Sequence, residues 1–452
     1  MNSFDFQGRV NKQLKYDDIG DISVYVRAPT NGFWTGMDDR VVLKVGDVIY
    51  YYIVVAINNG NSEYHELRLM RYTVTELFDS EENLPSSTTQ SLIVIQNTTT
   101  TTTTTTTPPP AACRKSITEV NSRMGLVPTL CSGQIIFEDN FDNLREDIWT
   151  VEHYIPSKPE YPFVSYQTTS VSVSDGMLRI EPRLLETVEG FDSVVVETGR
   201  LDLTMGCTRP GSCVHQSNGP QILQPIVSGR VTSKSAFAFK YGFIEIRAKV
   251  PQGDWLYPDI LLETFSKAYG AEDHRALRIA GARGNKLLMK GTEEYGNKVL
   301  YGGPMMDNKC RNNLLVNKMS TTEWGNDFHV YSLSWVPESI TLLVDNEEWG
   351  RVSLSPGDLQ ARLPKDKTCE PLRKSLQSRM ITFEDFFGIT LGVSAGGIFE
   401  FPDKVISGLT TSKPWSNPES KAMLKFYQAN NTWIGTWDQP ALLVDYVKVR
   451  AL

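Results

Sequence analysis

The chain has 452 residues, 40% of them hydrophobic and 22% charged, a globular composition too long for a single ordinary domain. A net charge of -8 supplies no field for nucleic acid, so a neutral or weakly charged ligand fits better. The longest apolar run, Val48 to Ile57, falls well short of the roughly 20 residues that cross a bilayer, so no membrane span is expected.

The first residues, MNSFDFQGRVNK, contain no apolar segment of the kind that drives secretion. Residues 1–77 read as a small all-β module. Phe4 to Val10, Ile22 to Arg27, Val41 to Val45, Val48 to Ala56 and Glu66 to Val74 are rich in β-branched and aromatic residues, with turn residues between them at 29–32 and 58–60. An immunoglobulin-like sandwich is the natural packing for such strands. Asn31-Gly32-Phe33-Trp34, followed by Leu43-Lys44-Val45-Gly46-Asp47-Val48-Ile49-Tyr50-Tyr51, resembles the N-terminal glucan-binding module of arthropod β-1,3-glucan recognition proteins. That module has about one more strand ahead of Phe4 than this chain supplies, so its first strand is expected to be missing.

The resemblance implies a carbohydrate-binding face drawing on Asp21, Tyr52 and His65. The family has Tyr-Tyr-Trp where this chain has Tyr50-Tyr51-Tyr52, an arginine near His65, and an acidic residue near Tyr25. An aromatic ring flanked by planar hydrogen-bonding groups suits stacking on a sugar and reading its hydroxyls. The alternative is a plain strand with alternate tyrosine rings in the core.

Residues 78–112 change character, with Ser86-Ser87-Thr88-Thr89, an unbroken run from Thr98 to Thr107, and Pro108 to Pro110. Such a tract cannot bury apolar area and stays extended as a tether. Its composition suits O-glycosylation in a secreted protein. Glycosylation sequons at Asn97 and Asn430 point the same way. Six cysteines fall as sequence-local pairs, Cys113 with Cys131, Cys207 with Cys213 and Cys310 with Cys369, and none forms a C-x-x-C pattern. Disulfides are expected, although spacing alone fixes no connectivity and unpaired thiols are the alternative. An extracellular protein whose given chain lacks its true beginning reconciles these features with the missing signal.

Residues 113–452 carry short strands between turns: Gln134 to Glu138, Ser170 to Val173, Met177 to Pro182, Gly229 to Thr232, Gly242 to Val250, Phe328 to Val336, Ser339 to Val344, Phe387 to Val393 and Ala441 to Arg450. Helical periodicity is nearly absent. The expected fold is a concanavalin-like jelly-roll β-sandwich of two antiparallel sheets, whose concave face forms a polysaccharide groove. Ile136-Phe137-Glu138-Asp139-Asn140-Phe141, Ser228-Gly229-Arg230-Val231-Thr232-Ser233-Lys234, Tyr241-Gly242 and Val444-Asp445-Tyr446-Val447 resemble successive strands of laminarinase-like enzymes of glycoside hydrolase family 16.

In those enzymes the pattern Glu-x-Asp-x-x-Glu places its carboxylates on one strand face. Alternation aligns i with i+2, and a bulge brings i+5 to the same side. Two carboxyls about 5 Å apart then serve as nucleophile and acid/base. Gly253-Asp254-Trp255 with Pro258, and Ala282-Arg283-Gly284-Asn285, resemble the segments flanking that strand. Counting back from Asn285 puts Ala276 at the nucleophile, Arg278 at the central aspartate and Gly281 at the acid/base, so no catalytic residue is expected. Leu261 stands where the family tends to place a tryptophan and Asp259 where it has a small residue. Trp255 and Tyr257 are candidate groove residues. A shifted register using Glu272 and Asp273 is the alternative, although adjacent residues on a strand face opposite sides.

Neither a metal-binding nor a phosphate-binding motif occurs, so no metal or cofactor is expected. The ordered motifs resemble β-1,3-glucan recognition proteins, also called Gram-negative bacteria-binding proteins. That implies a secreted, non-catalytic sensor of microbial cell-wall polysaccharide that engages an immune serine protease cascade. An active β-1,3-glucan hydrolase and a protein-interaction scaffold without sugar binding are the rival readings.

Overall fold

The computed structural model describes residues 3–12, 20–26, 38, 41–58, 62–74, 113–122, 125–126, 130–156, 161–264, 275–306, 310–377 and 383–452. The chain divides into two compact units, Met1–Thr107 and Pro108–Leu452. Among the described residues no helix is long and apolar enough to cross a membrane. The threonine tract, the Asn97 sequon and the alternative acids Glu272 and Asp273 lie outside the described residues.

In the first unit, Ser3–Val10 pairs with Ile22–Val26 on one side and Val48–Asn58 on the other, and Ser62–Thr73 adds to Val48–Asn58, giving one antiparallel sheet. The sequence VIYYYIVVAIN favours this extended state because branched and aromatic side chains pack well on a pleated surface. Phe6 stacks on Tyr51 with ring centroids 5.0 Å apart. The strand expected at Val41 to Val45 does not form. Asp47 accepts the Lys44 N–H at 2.8 Å and the Asn11 amide at 2.7 Å, and Gly46 takes φ +95°. The resulting turn leaves Val42 86% and Val45 62% exposed. A second sheet, which the immunoglobulin-like expectation requires, is not among the described residues.

The second unit is the expected two-sheet sandwich. One sheet runs Val316–Met319, Val299–Met305, Ala276–Gly281, Leu256–Thr264, Phe387–Ala395, Phe237–Lys240, Glu119–Ser122 and Gly125–Leu126, with Arg230–Thr232 also paired to Phe387–Ala395. The other runs Val171–Ser174, Met177–Ile180, Leu442–Arg450, Gly242–Lys249, His329–Val336, Ser339–Val344 and Glu347–Ser353, with Ile135–Asp139 beside Leu442–Arg450. Leu262, Leu277, Ile389 and Leu391 of the first sheet and Ile244, Ile246, Leu333 and Val447 of the second are completely buried in one core. Each such side chain contributes roughly 1.5–3 kcal/mol. Among the described residues the unit also has four short α-helices: Ser193–Thr198, Pro356–Arg362, Glu370–Gln377 and Ala422–Gln428. Asp192 caps the first by accepting the Val195 N–H at 2.8 Å, and Ser355 caps the second with proline at its start.

All six cysteines are bonded, as Cys113–Cys131, Cys207–Cys213 and Cys310–Cys369.

Candidate functional site

The first sheet carries Ala276, Arg278 and Gly281 on one strand, the positions to which the resemblance assigns carboxylates. Ile260, Leu262, Leu277 and Ile279 point into the core, so alternation turns Asp259, Leu261, Glu263, Ala276 and Arg278 to the opposite face. The two strands pair with Leu261 opposite Arg278 and Ile260 opposite Ala280, a one-residue bulge at the point where the spacing requires it.

Arg278 is completely buried. Its Nη1 donates to the Pro258 carbonyl at 3.1 Å and its Nε to the Met305 sulfur at 3.4 Å. Its Nη2 lies 4.0 Å from Asp259 Oδ1 and 3.9 Å from Glu400 Oε2, and its guanidinium is 5.2 Å from the Tyr301 ring centroid. Asp259 accepts from Ser394 Oγ at 3.0 Å and lies 3.8 Å from Arg230 Nε. Arg230 reaches Glu152 at 2.6 Å and Glu263 at 2.7 Å, and Lys234 reaches Glu263 at 2.9 Å. On the other side Arg283 pairs with Glu400 at 2.9 Å, to which Tyr301 also donates at 2.7 Å. Arg230, Lys234, Arg278 and Arg283 thus face Glu152, Asp259, Glu263 and Glu400, cation for carboxylate.

This balance sets the protonation states. Burial alone would push the Glu263 carboxyl up, but Arg230 and Lys234 hold it well below the usual carboxylate range. Burial likewise opposes the charge on Arg230, and Glu263 and Glu152 overcome it. Tyr301 and Tyr166 are pushed up by burial and then by Glu400 and Asp259 respectively. Beside the ions, Leu261, Ala276 and Met305 close into a small apolar cluster with Leu315 against it. Gly281 is confined too: a Cβ there would meet Tyr301 Cζ at 2.7 Å and Arg278 Nη1 at 2.9 Å. The middle of the expected groove is therefore filled by the protein's own side chains.

Two candidate groove residues are corrected. Trp255 is completely buried, packed edge-on against Trp415 at 5.0 Å and Phe401 at 5.3 Å. Tyr257 is 2% exposed, edge-on to Phe401 at 5.9 Å. Hydrophobic packing leaves neither ring a face for a sugar. In the first unit, Asp21 is half exposed and 3.8 Å from Arg9. Tyr52 pairs in register with Gln7 and His65 with Val55, and the side chains of both lie outside the described residues. Asn430 opens a one-turn helix, Asn430–Thr432, at the surface. Sequence reasoning missed Arg230, Glu152, Glu263 and Glu400, because their partnerships join residues between 29 and 122 positions apart, counted from Lys234–Glu263 and Arg278–Glu400. The one available signal was Asp259 and Arg278 standing where the resemblance puts a small residue and an acid.

The CBM39 family, described as a carbohydrate binding domain (family 32), matches residues 1–108. A β-1,3-glucan-binding protein of Hyphantria cunea is 45% identical over 100% of this chain and 91% of its own. Gram-negative bacteria-binding protein 1 of Drosophila melanogaster is 34% identical over 96% of this chain and 87% of its own. Among solved structures, the laminarinase catalytic domain of Thermotoga maritima has 18% identity and a TM-score of 0.44, covering 71% of this chain and 99% of that one. With relatives of that identity matching nearly all of this chain, the chain belongs to the family of β-1,3-glucan-binding proteins and Gram-negative bacteria-binding proteins.

Proposed function

We propose that this protein recognises microbial β-1,3-glucan outside the cell without hydrolysing it. The observation that carries the reading is Arg278, a buried guanidinium held between Asp259 and Glu400 where the resemblance puts the central aspartate between nucleophile and acid/base. Ala276 and Gly281 supply neither nucleophile nor acid, and double-displacement hydrolysis needs both. A fixed positive charge also opposes the cationic character of the glycosyl transition state. Residues 1–77 are the proposed glucan-binding module, 78–112 a tether, and 113–452 a glucanase-like sandwich retained for binding. Secretion, glycans on Asn97 and Asn430, and an immune serine protease cascade as downstream partner belong to the same reading. Two measurements test it. Incubation with laminarin should release no new reducing ends, and the protein should be retained on insoluble curdlan at moderate salt. New reducing ends would establish the hydrolase, and absence of retention even at low salt would leave the scaffold.

A further inference from the structure

Although the middle of the groove is filled, a cavity that shares Arg283 and Tyr301 with the ion network is open. Lying beside Val299–Met305 and Val316–Met319, this cavity of about 440 Å³ is within the size range of small-ligand sites, roughly 300–1,000 Å³. We propose that this cavity binds the terminal neutral hexose of a glucan chain; the choice of glucan rests on the function proposed above.

Its inner wall is Arg283 and Tyr301, the outermost members of the ion network, with the Arg283 guanidinium 4.7 Å from the Tyr301 ring centroid. Its lining also carries Glu293, Glu294, Tyr295, Asn312 and Asn317. Glu293 accepts the Tyr295 hydroxyl at 2.6 Å, which fixes the phenol ring at the mouth. Carboxylates accept from neighbouring hydroxyls, amides both donate and accept, and a phenol offers an apolar face, the combination that reads a pyranose. The Arg283 charge is balanced by Glu400 at 2.9 Å. Glu293 and Glu294 therefore leave the lining acidic, which disfavours phosphorylated or carboxylated polysaccharides and admits a neutral one. Asn312 follows Cys310, whose disulfide to Cys369 holds that wall before ligand arrives, and such preorganisation favours binding.

The test is calorimetric titration of the full chain with laminaritriose, comparing the native protein with Glu293→Gln and Asn317→Ala, both at exposed positions. Each variant should weaken the trisaccharide by about tenfold with an unchanged melting temperature. Carboxymethylated trisaccharide should bind the native protein more weakly than the neutral one. Trisaccharide affinity unchanged in both variants, or no binding to the native chain, overturns the pocket while retention on curdlan keeps the proposed function standing. Loss of curdlan retention with variant-sensitive trisaccharide binding keeps the pocket and overturns recognition of the polymer.

Discussion

Arg278 is tolerable in a dry position because carboxylates surround it, and the same fact makes it expensive to alter. Removing one partner of a buried ion pair strands the other, at about 3–5 kcal/mol. Arg278→Ala should therefore lower unfolding free energy in urea, by up to about that amount, chiefly through Asp259, whose remaining cation Arg230 stands 3.8 Å away, since Glu400 keeps Arg283 at 2.9 Å. Adding Asp259→Ala should return part of the loss, and a double-mutant cycle in which the two effects simply add would remove the coupling argued here. Acid should act through Glu263. Its carboxyl is held well below the ordinary glutamate value of 4.5, so the stability it contributes is fully present above that pH and is lost as pH falls below it toward the folded value. Glu263→Gln should be less stable at pH 7 and show a shallower decline between pH 5 and pH 3, read from urea midpoints. At this scale the sequence exposes only half the site. The proposed exchange of an acid for Arg278, with Asp259 on the neighbouring strand, rests on the flanking motifs alone. The partners Arg230 and Glu400 are not legible in the sequence, because no local spacing links groups that meet only across the folded sheet.

Among elements, legibility follows whether two faces meet different surroundings. Met177–Ile180 alternates between half-buried and buried positions and Ser339–Val344 does the same, so the expected strands fall on the observed ones. Leu256–Thr264 is buried on both faces over most of its length, which erases the alternation and leaves the GDW motif as its only signature. The four helices span six to eight residues, too few for a helical period to register. The front-module strand at Val41 to Val45 is lost because the Asp47 turn is closed by its own side chain. Cysteine crosslinks, by contrast, are legible as neighbours in sequence, and their separation sets their effect. Closing 59 residues with Cys310–Cys369 should stabilise by about 4 kcal/mol by chain entropy. Closing 6 residues with Cys207–Cys213 should contribute about 2 kcal/mol. Paired serine substitutions followed by thermal unfolding should show the larger loss at Cys310 and Cys369. Equal losses would mean that native-state contacts, not the unfolded chain, dominate both bonds.

For the whole molecule, the tether proposed above, a threonine- and proline-rich tract in the sequence, would make reach a functional quantity. A polymer presents many sites, so a chain that grips it once raises the local concentration of its second unit near a further site. The gain is about 10²–10⁴ in avidity when the tether spans the distance, with no new contact required. Deleting residues 1–107 should therefore lower apparent affinity for insoluble curdlan by about a hundredfold or more, measured by depletion from solution across a polymer series. Trisaccharide binding at the Glu293 pocket should be unaffected, because a ligand that short occupies one site and gains nothing from tethering. Lengthening the threonine run should weaken curdlan binding only mildly, since effective concentration falls as about the -3/2 power of tether length. Identical curdlan affinity for the full chain and the Pro108–Leu452 unit would show that the front unit adds no second grip. The tether would then separate two units that act independently.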